Sequence, residues 1–129
     1  MAITNISKSE QFRHENQTWE RSLDFFKQEN NFLKNRLSEV VDQKTGKEFL
    51  ALAEHFQNRF IVKDEFIDEL KHDINIQGMA LKESMLNGLV TVNERMIKRQ
   101  GKLRNEMEFL EKDFAQLKNE FNKYLASAL

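Results

Sequence analysis

The chain has 129 residues, enough for one domain with a buried core, and its 20 basic and 21 acidic side chains nearly cancel. That balance gives no general pull toward nucleic acid or an anionic membrane, and the absence of cysteine excludes disulfides, zinc–thiolate sites and a thiol nucleophile. With no proline and only 4 glycines to interrupt a composition rich in Leu, Glu, Lys and Gln, the predicted class is all-α.

The first element opens at Ser7-Lys8-Ser9-Glu10, a capping-box pattern in which the hydroxyl accepts a helix-terminal N–H and the glutamate bonds back. Apolar residues then recur at steps of three and four: Phe12, Trp19, Leu23, Phe26, Leu33, Leu37 and Val40, with Asn16 and Asn30 filling the missing steps. A period near 3.5 sustained over this many turns is the mark of long helices packed side by side. Thr45-Gly46-Lys47-Glu48 is a second capping box and places the first reversal just before it. From there Phe49, Ala53, Phe56, Phe60, Ile67, Leu70, Ile74 and Leu81 keep the spacing, with Lys63 and Gln77 on the same seam.

Two signals compete for the second reversal. Gly78 is one; Asn87-Gly88, followed by the capping box Thr91-Val92-Asn93-Glu94, is the stronger and makes the helices nearly equal in length. The third seam reads Asn93, Met96, Gln100, Leu103, Met107, Leu110, Phe114, Leu117, Phe121 and Tyr124. The predicted helices therefore cover about 7–41, 45–86 and 91–126 of a single domain spanning the chain. Short connections fold them up, down and up, an elongated antiparallel three-helix bundle with coiled-coil-like packing. Folding the chain at each turn sets Asn30 beside Phe60 and Leu117, Gln77 near Gln100 at the level of Phe12, and Lys63 near Phe26 and Phe114.

In one-letter code, HFQNRFIVKDEFIDELKHDI (55–74), LRNEMEFLEKDFAQLKNEFNKYLA (103–126) and WERSLDFFKQENNFLKNRLSEV (19–40) make up about half the chain. These stretches resemble a group of small bacterial helical proteins. The resemblance implies a helical bundle and carries over no activity, cofactor or site.

Chemistry-bearing residues are few. A ferritin-like di-metal site needs two inward Glu-x-x-His motifs and two further glutamates, whereas Glu69-Leu70-Lys71-His72 stands alone here. With Leu70 on the seam, Glu69 falls on a flank and His72 on the outer face; His14 and His55 also fall outside it, so no metal ligand is assigned. The seam amides Asn16, Asn30, Asn93, Gln77 and Gln100 suit register specification, or else a polar pocket. On the first reading, Asn30→Leu should raise stability while loosening assembly. Lys63 is expected to lay its methylenes on the aromatic rings and extend its amine outward. Arg95, Lys98, Arg99 and Lys102 share one face of the third helix, opposite an acidic excess between Asp64 and Asp73. Solvated faces that compensate each other are favoured over nucleic-acid binding, for which no motif is present. No phosphate loop, nucleophile elbow or zinc-protease motif occurs, so no catalytic residue and no cofactor is assigned.

Eleven phenylalanines exceed what the seams use. Phe25 and Phe32 lie a heptad apart on a flank of the first helix; Leu52, Val62 and Phe66 occupy a flank of the second, and Phe109 one of the third. They either complete a wide core face or form a surface for another chain, with Phe25, Phe32, Val62 and Phe66 as a single apolar strip. The expected function is a non-enzymatic structural or protein–protein interaction module, with a homo-oligomer or another protein as partner. The alternative is a metal- or ligand-binding bundle. No apolar run approaches the ~20 residues of a membrane span and the opening residues do not read as a signal peptide, so the expected compartment is the cytoplasm.

Overall fold

A computed structural model describes residues 2–43, 46–86 and 92–128. It contains three helices: α1 (Ala2–Val41), α2 (Lys47–Leu86) and α3 (Glu94–Ala128). Their 40, 40 and 35 residues make rods of roughly 50–60 Å at ~1.5 Å per residue. The helix passes straight through Gly78, so the second reversal falls between Leu86 and Glu94. Asn87–Val90, where that turn is predicted, lies outside the described residues, as do Thr45 and Thr91.

Two predicted starts need correction. α1 does not begin at Ser7 but runs back to Ala2, because the preceding Ala-Ile-Thr-Asn-Ile contains nothing that stops a helix. α3 begins at Glu94, later than the expected position 91, and the reason is Asn93. Its side-chain oxygen accepts the Met96 backbone N–H at 2.8 Å, and its carbonyl accepts from Ile97. Asn93 is therefore an exposed N-cap, not a seam residue.

Side-chain pairing fixes the directions. As α1 advances from Asp24 to Lys27, its α2 partner retreats from Lys71 to Asp68, so the two run antiparallel. Between α2 and α3 the pairs Arg59–Glu120 and Lys63–Asp113 step in opposite senses as well. Glu15–Arg104 and Glu29–Lys118 are each 89 residues apart, the constant offset of parallel helices. The result is the expected up-down-up bundle.

Its core is divided along its length. Near the first turn, Leu33, Leu37, Phe56, Phe60, Leu117, Phe121 and Tyr124 form one apolar cluster. Trp19, Leu23, Ile67, Leu70, Ile74, Leu103, Met107 and Leu110 form a second at mid-length, and Phe26 packs against both. A small third cluster, Phe12, Leu81 and Met96, closes the far end. Polar layers separate the three. Buried apolar area stabilises by about 25 cal/mol per Å², so among the described residues the two large clusters contribute most to holding the rods together and the third contributes least.

Candidate functional site

The polar layer between the second and third clusters takes one amide from each helix. Gln77 Nε2 donates to Gln100 Oε1 at 3.1 Å and to the Met96 carbonyl at 2.8 Å. Gln100 Nε2 donates to Asn16 Oδ1 at 2.8 Å and to Glu15 Oε1 at 2.9 Å. Gln77 and Gln100 are wholly buried. Arg104 closes the edge with two 2.7 Å bonds to the Glu15 carboxylate. Burial pushes the Glu15 carboxyl up, but hydrogen bonds from Arg104 and Gln100 outweigh it and hold the group below its usual range. Sliding α3 by one heptad would replace Gln100 with Met107 or Asn93 and strand the other amides, at about 1–3 kcal/mol per unsatisfied buried group. The arrangement thus specifies three-helix register. Asn16 Nδ2 and Gln77 Oε1, at the ends of the amide chain, have no partner among the described residues.

A second layer lies between the first and second clusters. Asn30 Nδ2 donates to the Phe60 carbonyl at 2.9 Å and to Asp64 at 2.8 Å, which ties α1 to α2 at the expected level. Lys34 pairs with the same Asp64 and Lys27 approaches it at 3.4 Å. Burial raises the Asp64 pKa, yet hydrogen bonds from Lys34 and Asn30, with both lysine charges, leave it lowered overall. Lys63 is buried, and its ammonium is not simply directed outward as expected. It pairs with Asp113 and lies 5.9 Å from the centre of the Phe66 ring. Burial, then the Arg59 charge, depress its pKa even with Asp113 in contact. Lys63 shares the α2–α3 groove with His55, Arg59 and Asp113.

The candidates for metal chemistry are dispersed. Glu69, His72, His14 and His55 are all exposed. Among the described residues no three His, Asp or Glu side chains cluster as a metal site would require. The basic residues do come together: Arg95, Lys98, Arg99 and Lys102 border a groove between α2 and α3 that Asp73, Ile76 and Glu106 also line.

The surplus aromatics are on the surface, with Phe25 57%, Phe32 63%, Val62 60% and Phe109 58% exposed and Phe66 half-buried. They do not form the single strip that the sequence suggested. Phe25 and Phe32 stand four residues before and three after Glu29, which pairs with Lys118 of α3, so they flank the α1–α3 side. Val62 borders the α2–α3 groove, and Phe66 meets Phe109 edge-on at 6.0 Å across it. The α1–α2 side carries the ion pairs Lys27–Asp68 and Lys71–Asp24 instead. A seam residue has two flanks, and in a three-helix bundle each flank turns toward a different neighbour; sequence spacing alone does not say which. There are accordingly two apolar patches, one on either side of α3. Phe25 also leans on Phe26 at 5.9 Å, so its ring is only partly free.

Sequence reasoning missed the partners that only tertiary contact reveals. Asp113 beneath Lys63 and Glu15 beside Gln100 belong to other helices, and no periodicity marks them. No family model, no curated protein and no solved structure matches the chain. Among the described residues, no helix is long and apolar enough to cross a membrane.

Proposed function

We propose that the protein is a non-enzymatic interaction module that self-associates through apolar side chains left outside its core. The observation that carries this reading is the exposure of Phe25, Phe32, Val62 and Phe109 by more than half, outside the buried clusters of the bundle. Solvent-exposed rings grouped in patches mark contact surfaces far more often than isolated apolar residues do. Burying one such side chain contributes about 1.5–3 kcal/mol, so the exposed side chains of one patch, doubled by a two-fold axis, supply enough to offset the cost of association. A cytoplasmic setting fits a cysteine-free chain.

Light scattering across a concentration series is the direct test. The expected result is a mass above that of one chain, reduced by glutamate at one patch: Phe25→Glu with Phe32→Glu, or Val62→Glu with Phe109→Glu. A wild type that stays monomeric at the highest attainable concentration refutes self-association. Unfolding of a variant, read by circular dichroism, would instead assign its two residues to the bundle's own core.

A further inference from the structure

Opposite charges face each other along the middle of the α1–α2 side, Lys27 with Asp68 and Asp24 with Lys71. The two helices are antiparallel, so each residue back along α1 moves the partner one residue on along α2. Carried toward the far end, that register sets Gly78 opposite Gln17 and Lys82 opposite Arg13. The matching of charge fails there: one level has no side chain on α2, and the next sets two cations face to face. Among the described residues neither Arg13 nor Lys82 has an ion pair, and Glu10 and Glu20, on either side of Arg13 along α1, make none either. Arg13 meets the Met85 sulfur across the interface at 4.0 Å.

Between these helices lies a groove of about 410 Å³, bordered by Asn16 and Gly78 toward mid-length, then by Arg13 and Lys82, and by Met85 and Leu86 at the far end. A space of that size suits a small molecule. Packing does not demand Gly78, since a Cβ built there meets nothing within 4 Å, and glycine is among the poorest helix residues. What its missing side chain leaves is the open groove. Asn16 is only 5% exposed; its Oδ1 accepts from Gln100 of α3 at 2.8 Å, and its Nδ2 has no partner among the described residues. The two branches of a planar amide diverge, so with Oδ1 committed to α3 the Nδ2 turns away from it, toward the side that Gly78 opens. A buried donor is costly to leave without an acceptor.

We propose that this groove binds a small carboxylate carrying a short apolar tail. One carboxylate oxygen accepts from Asn16 Nδ2 at the floor of the groove. The negative charge sits between Arg13 and Lys82, where it relieves the one pair of like charges set opposite each other. The tail runs on toward the far end against Met85 and Leu86, both of which are exposed. Gly78 is the residue that keeps the entrance over the amide open. The site lies on the α1–α2 side, away from Phe25 and Phe32 and from Val62 and Phe109, and does not depend on self-association.

Titration of the full chain with sodium hexanoate at constant ionic strength tests this, read by nitrogen–proton NMR. The Asn16 side-chain amide and the Gly78 backbone amide should shift along a saturable curve. Hexanol and hexylamine, which keep the tail and lack the carboxylate, should leave both in place. Lys82→Glu alters an exposed residue and gives Arg13 the opposite charge that the rest of the interface has. Its dissociation constant for hexanoate should rise by tenfold or more, while its melting temperature holds or rises. Gly78→Met fills the groove and should abolish the shifts, with circular dichroism confirming that both variants are folded. A monomeric chain that binds hexanoate in this way supports the site although self-association fails. The proposal is overturned if the wild type shows no saturable shift, if hexanol acts as hexanoate does, or if Lys82→Glu binds as the wild type. Inorganic phosphate and acetate binding as tightly as hexanoate would reduce the groove to a contact for any anion and overturn it as well.

Discussion

Asn30 shows how one buried amide reverses an expectation drawn from spacing. As an isolated seam position it invites replacement by leucine. In the bundle its Nδ2 makes two hydrogen bonds to α2, one to the Phe60 carbonyl and one to the Asp64 carboxylate. Asn30→Leu removes both donors while Asp64 stays where it is. Hydrogen bonds of this kind contribute about 0.5–1.5 kcal/mol each, and more when the acceptor is charged. The packing gained by leucine recovers part of that, so the expected outcome is a net loss of about 1–2 kcal/mol, measured by urea unfolding. Gln100→Leu should cost more, about 2–4 kcal/mol, because it leaves the buried Asn16 Oδ1 without its donor and removes one hydrogen bond each from Gln77 and Glu15. A Gln100→Leu variant as stable as the wild type would show that the amide layer adds nothing to the fold.

The helices themselves were readable because their cause is local. A three-and-four spacing of apolar residues, uninterrupted by proline, survives any tertiary context, and it located α1, α2 and α3 together with the levels at which Asn30 meets Phe60 and Gln77 meets Gln100. What it could not give was the direction in which each flank turns. Phe66 meets Phe109 instead of extending the line of Phe25 and Phe32, since that outcome depends on how α2 is seated against α3. The starts were misread for a different reason: a capping box permits an N-terminus without requiring one, so α1 continues through Ser7. Gly78 gives an expectation at this scale. It lies inside α2, half-buried, and a Cβ built there meets nothing within 4 Å. Gly78→Ala should therefore stabilise by about 0.5–1 kcal/mol, through the lower backbone entropy of the unfolded chain. Beyond Gly78 the core among the described residues is Phe12, Leu81 and Met96, a smaller cluster than the other two, so this end should open first. Hydrogen exchange should be faster in residues after Gly78 than around Ile67 and Leu70, and the alanine variant should slow it. Uniform protection along α2 would contradict that gradient.

At the scale of the whole molecule, α1 is held to each of its neighbours by a carboxylate in a polar layer. Asp64 binds it to α2 through Lys34, Lys27 and Asn30, and Glu15 binds it to α3 through Arg104 and Gln100. Both groups titrate below their ordinary values of 3.8 and 4.5, because these hydrogen bonds and charges outweigh the opposing effect of burial. A carboxyl whose folded pKa is depressed takes up its proton more readily in the unfolded chain. Its contribution to stability is therefore complete above the unfolded value and is lost as pH falls through the folded one. The bundle should lose stability below about pH 4, with both layers releasing α1 over the same range. Asp64→Asn isolates one contribution. The variant should be less stable than the wild type near neutral pH, and the gap should close as pH falls through the depressed pKa of Asp64 in the folded chain, where both chains become uncharged at that position. Thermal melts of the two proteins across this range decide the matter. A gap that stays constant with pH would mean that Asp64 acts by shape and hydrogen bonding alone, and that its charge does not hold α1 to α2.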